Sequence, residues 1–203
     1  MTTSHRTSRR SILLAAALAT ACATAPPAAD AAPADAAATR QWLQEFGATY
    51  GYDVGYLEAL LDRSPAAYAT FAAAMGMAEH RVHLPADAHF VALISALIAY
   101  DCGQCTQLNL KMAVEAGVDR ELLRLVLERP ADLPPTLRLV HEYAAAVAGG
   151  RNADAATVAR LRAELGDAAF GELAVNVLGA AIYPALRRAM GAETVCPPPT
   201  LDF

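Results

Sequence analysis

The chain has 203 residues, 55% of them hydrophobic and only 6% aromatic, with a formal net charge of -5 and a sequence pI near 5.5. That balance excludes a non-specific nucleic-acid binder, which carries a basic stripe. The length leaves room for one compact domain once an export segment is set aside, and no second domain fits.

The first stretch reads as an address. Ser8-Arg9-Arg10-Ser11-Ile12-Leu13 precedes an Ala-rich apolar segment, Leu14 to Ala21, with basic residues only on its N-terminal side. A basic start, an apolar segment too short to span a bilayer and a small-residue exit fit a twin-arginine export signal over residues 1–22. Leu18-Ala19-Thr20-Ala21-Cys22 resembles a lipoprotein cleavage box, which makes Cys22 a candidate for lipidation; Ala19-Thr20-Ala21 would equally serve an ordinary signal peptidase. Residues 23–40 are Ala/Pro-rich, the composition of a spacer between a membrane and a domain. The expected domain is then 41–203, exported and either periplasmic or otherwise extracytoplasmic, with a lipid tether if Cys22 is modified.

Within it the apolar positions recur at helical spacing and runs of β-branched residues are few, so an all-α fold is expected. Trp42 and Phe46 mark one helix, and Tyr56, Leu57, Leu60 and Leu61 a second. Ser64-Pro65 is a cap followed by proline at the first helical position, opening a third helix through Tyr68, Phe71 and Met75. Pro85 opens a segment in which Phe90, Val91, Leu93, Ile94, Leu97 and Ile98 leave almost no polar side, the mark of a helix at the centre of its domain. A helix through Leu108, Asn109 and Met112 stops at Gly117; Asp119 caps another that ends before Pro130. Pro134-Pro135 opens a helix whose Leu137, Val140, Ala144 and Val147 are expected to face inward, and Gly149-Gly150 ends it. Val158, Leu161 and Leu165 form a further helix closed by Gly166. The last, Phe170 to Met190, is strongly apolar through Leu173, Val177 and Leu178, but Asn176, Gly179 and Pro184 interrupt it, so it reads as a bent packing helix. So many apolar helices in a small domain point to contact with further subunits.

The reactive constellation is Cys102-Gly103-Gln104-Cys105, at the junction of two helical patterns. Cysteines three apart on a helical turn have Cα atoms roughly 5 to 6 Å apart, within disulfide reach. A helix N-terminus also favours the thiolate, the nucleophilic form. A thiolate that attacks a peroxide becomes a sulfenic acid, which a second thiol condenses with to give a disulfide. Zinc competes for such a pair, but there is no second C-x-x-C and no H-x-x-x-H to complete a site. A permanent structural disulfide is the plain alternative in an exported protein, although so short a loop restrains the unfolded chain little. A thioredoxin-like fold needs strands that this sequence does not show.

Leu93 to Val126, in which the C-x-x-C links an apolar helix to one ending in Ala-Gly, resembles the carboxymuconolactone decarboxylase family, and specifically its alkylhydroperoxidase D-like branch. The resemblance covers about Ser64 to Met190, with its sharp motif confined to the pair and its flanks. It implies a helical homo-oligomer, a trimer or larger, that acts as a thiol-dependent peroxidase on a peroxide or disulfide substrate, is recharged by an external thiol reductant and needs no cofactor. By that resemblance Cys105 becomes the sulfenic acid and Cys102 resolves it. The family also places a glutamate and a histidine as a proton relay where this chain has Phe90 and Asn109, neither of which ionises. Asn109 retains the capacity to orient a sulfur or substrate by hydrogen bonding. His89 is expected on another face from Phe90, His141 is a remote alternative base beside Glu142, and Asp101 is expected to cap the second helix. Cys196, before Pro197-Pro198-Pro199, is an odd thiol that is free, paired between chains or exchanging with the active pair. A true lactone decarboxylase is disfavoured because nothing marks a proton donor and acceptor around a carboxylated lactone. The contrasting reading is a non-catalytic scaffold or small-molecule binding protein in which the pair is a staple.

Overall fold

The computed structural model describes residues 35–192, 197–200 and 202, and helix accounts for 77% of them, with no strand. The export segment, Cys22, the start of the spacer and Cys196 lie outside the described residues. In chain order the helices are α1 (Ala36–Tyr50), α2 (Gly55–Arg63), α3 (Pro65–Glu79), α4 (Ala86–Ala99), α5 (Gly103–Glu115), α6 (Arg120–Glu128), α7 (Pro135–Ala148), α8 (Ala155–Leu165) and α9 (Asp167–Ala189), with a 3-10 turn at Pro130–Asp132.

Local chemistry sets most of these boundaries. Asp35 accepts from the N–H groups of Ala37 and Ala38, so α1 begins at Ala36, inside the stretch expected as spacer. The alanines that read as linker are also the best helix formers, and a cap is enough to recruit them. Ser64 accepts from Ala67 N–H with Pro65 in the first turn, and Asp119 accepts from Glu121 N–H. Gly117 and Gly166 close α5 and α8 at φ +84 and +85.

The centre is α4, where every residue from Ala88 to Leu97 is buried, between α5, α7 and α9. Burying the side chains of Val91, Leu93, Ile94 and Leu97 contributes roughly 2 kcal/mol each. Around it α9 also packs on α3 and α8. By length and composition α9 would be long enough and apolar enough to cross a membrane; here Leu173 and Val177 are buried against neighbouring helices and Pro184 sits within the continuous helix. Two residues expected inside the fold are not, Ile98 (42% exposed) and Val147 (36%), because periodicity marks a helix face and not how much of it a neighbour covers; Leu178 on α9 is 57% exposed.

Two buried polar clusters tie α9 to the α3–α4 connection. The Glu172 carboxylate accepts from the N–H groups of Val82, His83 and Leu84 and from the His83 ring at 2.7 Å. Burial alone would raise its pKa, but these donors outweigh burial and hold it at about 2. Asn176, fully buried, donates to the carbonyls of Met77 and His80 and accepts from His89 Nδ1 at 2.7 Å. Close by, α9 is pared to Gly179, where a Cβ would stand 2.4 Å from Ala78 N.

Candidate functional site

The polypeptide turns sharply between α4 and α5, and the turn determines what each cysteine meets. Asp101 has φ 52, a left-handed conformation usually left to glycine. Its N–H bonds Ile98 O at 3.0 Å and the N–H of Cys102 bonds Leu97 O at 3.1 Å, the paired bonds of a Schellman closure. Asp101 therefore finishes α4 and does not cap α5. The cap position belongs to Cys102, whose side chain makes no capping bond; its carbonyl accepts from the N–H and hydroxyl of Thr106.

Cys102 and Cys105 form a disulfide, with an S–S distance of 2.04 Å and a Cα–Cα distance of 5.3 Å, and each is 3% exposed. The two sulfurs belong to different surroundings. Cys105 borders a cavity of about 300 Å³ whose wall is largely apolar, with Trp42, Phe46, Phe90, Leu93 and Met112 among its residues. Cys102 borders a wider depression of about 480 Å³, beside Asp101, Glu128 and the C-terminal Pro198 and Pro199. That tail is held on α5 by Gln107, which accepts from Thr200 N–H at 2.7 Å and donates to Asp202 O.

Asn109 shares the Cys105 cavity, but its amide donates to the Cys105 carbonyl at 2.9 Å, within its own helix, so it braces the backbone and does not bond the sulfur. Phe90 stands in the cavity wall, and His89 reaches the same cavity, its ring edge-on to Phe90 at 4.8 Å between centroids. The expectation that successive residues diverge overlooked that a cavity at the end of a helix face is wide enough to touch both. Asn176 accepts from His89 Nδ1, which places the proton there and leaves Nε2 with no hydrogen-bond partner among the described residues. Burial, opposed by the Asn176 bond, pulls the His89 pKa below the usual histidine value and favours this neutral form. His141 bonds Ser95 Oγ at 2.8 Å and lies outside the cavity.

Sequence reading missed the polar group that does touch a sulfur. The chain reverses at Gly51 (φ 63) after α1 and delivers Tyr52 to the pair: its hydroxyl lies 3.8 Å from Cys105 Sγ and 3.0 Å from the Tyr56 hydroxyl. The Arg187 guanidinium sits 5.4 Å from the centre of the Tyr56 ring. Arg187 is buried, bonding Asp53 at 2.5 Å and, at 3.0 Å, Gln104 between the two cysteines; its Nε has no partner among the described residues. The signal that could have found it was the basic pair Arg187-Arg188 in the last turn of α9. For Tyr52, separated from Cys105 by 53 residues, no local signal existed.

Among the described residues no group of three His, Cys, Asp or Glu side chains is placed to hold a metal ion. Compared with protein-family models, curated proteins and solved structures, the chain finds no match in any of the three.

Proposed function

We propose that this protein is an exported thiol-dependent oxidoreductase of the alkylhydroperoxidase D-like type, a helical homo-oligomer of three or more chains that cycles Cys102 and Cys105 between dithiol and disulfide. The observation that carries the reading is the closed pair at the start of α5, with one sulfur on an apolar cavity and the other on a separate, more polar depression. An organic peroxide meets Cys105 from the apolar side, and an external thiol reductant meets Cys102 from the other. The exposed Leu178 and Val175 on α9 fit burial against further subunits. The twin-arginine signature and the small-residue box at Cys22 support export and, with lipidation, a membrane tether.

One observation favours a second reading, in which the pair staples two helices of a scaffold or small-molecule binding protein: both cysteines are only 3% exposed. Purified mature protein separates the two. Consumption of cumene hydroperoxide with dithiothreitol, lost in Cys105→Ser, is the expected result. No Cys105-dependent turnover together with a pair that resists reduction would select the staple.

A further inference from the structure

Opening the disulfide leaves a negative charge on a buried sulfur, and neither Phe90 nor Asn109 supplies a proton to it. We propose that the Tyr52 hydroxyl is the catalytic hydrogen-bond donor to Cys105, holding that sulfur as a thiolate and standing in for the absent relay, with Tyr56 as the residue that positions it. This rests on the oxidoreductase reading above.

The direction of the hydrogen bonds follows from proton counting. A disulfide sulfur has no proton to give, so Tyr52 donates in its 3.8 Å contact with Cys105 Sγ. With that proton committed, Tyr56 donates to Tyr52 across 3.0 Å. The run of donors therefore points at the sulfur. Tyr56 keeps its proton firmly, since burial, reinforced by Tyr52 and Tyr183, pushes its pKa far above the usual value. The contact to the disulfide is long for a hydrogen bond and is expected to tighten once the sulfur carries charge.

The charges nearby offer no stronger candidate. Arg187 is matched by Asp53, and the cavity holds both Glu79 and Arg81 with a neutral His89. Tyr183 also lines the cavity, and its proton is likewise held by burial, while Lys111, which shares a neighbouring pocket with Tyr52, donates to Tyr50 O. On the other side Asp101 and Glu128 line the depression that Cys102 borders, and acidic neighbours disfavour a second thiolate there.

The chemical step is thiol–disulfide exchange. The thiolate of an external dithiol attacks Cys102 Sγ, forming a mixed disulfide; the Cys102–Cys105 bond breaks and its electron pair stays on Cys105 Sγ beside Tyr52. The second thiolate of the same reductant then attacks its own sulfur in the mixed disulfide, closing the reductant's disulfide and releasing Cys102, which takes one of the reductant's two protons. The other proton passes to solvent. Two electrons have moved from dithiol to protein, and Cys105 is left charged and ready for peroxide.

The test is the pH profile of Cys105 alkylation by iodoacetamide in the reduced mature protein, followed by peptide mass. Tyr52→Phe keeps the ring that packs edge-on to Phe46 and removes only the hydroxyl. It is expected to raise the apparent Cys105 pKa by about one unit, a roughly tenfold loss of thiolate at any pH below it. Tyr56→Phe is expected to shift it in the same direction by less. An unchanged profile in Tyr52→Phe, with circular dichroism matching the wild type, overturns the proposal; should that variant not fold, an unchanged profile in Tyr56→Phe does so. Hydroperoxide turnover of the wild type is measured alongside. A shifted profile without turnover retains the Tyr52 contact and removes the peroxidase reading, whereas turnover with an unshifted profile does the reverse.

Discussion

Substituting Gly179 by alanine tests whether the α3–α9 contact is as close as described. A Cβ there would lie 2.4 Å from Ala78 N, 2.6 Å from Met77 C and 2.7 Å from Ala78 Cα, about 1 Å inside the 3.4 Å at which ordinary contact begins. All three neighbours are backbone, so no rotamer change relieves the clash and the end of α3 must move. That end supplies the Met77 carbonyl to Asn176, already at 3.2 Å, and the adjoining His80 carbonyl at 2.8 Å. Overpacking costs roughly 1–3 kcal/mol and a weakened buried hydrogen bond about 1 more, while alanine's helix propensity returns about 1. The expected net loss is about 1–3 kcal/mol, or a fall in Tm of roughly 2–12 °C for a domain of this size. Thermal melts by circular dichroism, with urea unfolding as a second measure, decide it. A Gly179→Ala protein that melts within about 2 °C of the wild type, or above it, would refute the close approach.

Three further outcomes follow from other parts of the fold. Glu172 has a pKa of about 2 in the folded chain against about 4.3 for an ordinary glutamate, so its contribution is complete above the ordinary value and fades as pH falls toward 2. Urea midpoints should drop between roughly pH 4.5 and 2, and Glu172→Gln should flatten that slope; an equally steep slope in the variant contradicts the assignment. Asn176→Ala strands the His89 N–H and the two carbonyls, at a cost of about 2–4 kcal/mol, and denaturant titration showing less than about 1 would deny the cluster its role. Gly47 admits no side chain, since a Cβ would lie 2.9 Å from Tyr52 O and 3.3 Å from Val54. Gly47→Val should therefore displace Tyr52 and slow peroxide turnover beyond its effect on Tm, and turnover that only tracks stability would count against it.

What the sequence made legible was local. Ser64-Pro65, Asp119 and Gly117 mark their helix ends through bonds made within a few residues, and the unbroken apolar character of α4 places it at the centre. The cysteines were legible as a pair for the same reason: their spacing alone brings them within reach. Asp101 was misread because one residue type serves both as cap and, less often, in a left-handed turn, and only the bonds from Cys102 to Leu97 and from Asp101 to Ile98 separate the two uses. Tyr52, Arg187 and the docked tail are placed by contacts between distant segments, which no spacing rule encodes. The exposure of Ile98 and Val147 likewise depends on how far a neighbouring helix extends, a property of packing and not of periodicity.

The closure around Asp101 has a mechanical consequence. The corner between α4 and α5 is fastened by two amide–carbonyl links, Asp101 to Ile98 and Cys102 to Leu97, neither of which involves a sulfur. Opening the Cys102–Cys105 bridge removes a crosslink that spans four residues and leaves the corner itself fastened. Amide protons at 101 and 102 should then exchange with solvent at similar rates whether the pair is oxidised or reduced. A corner built this way lets the sulfur chemistry turn over many times without fatigue in the frame that aims it.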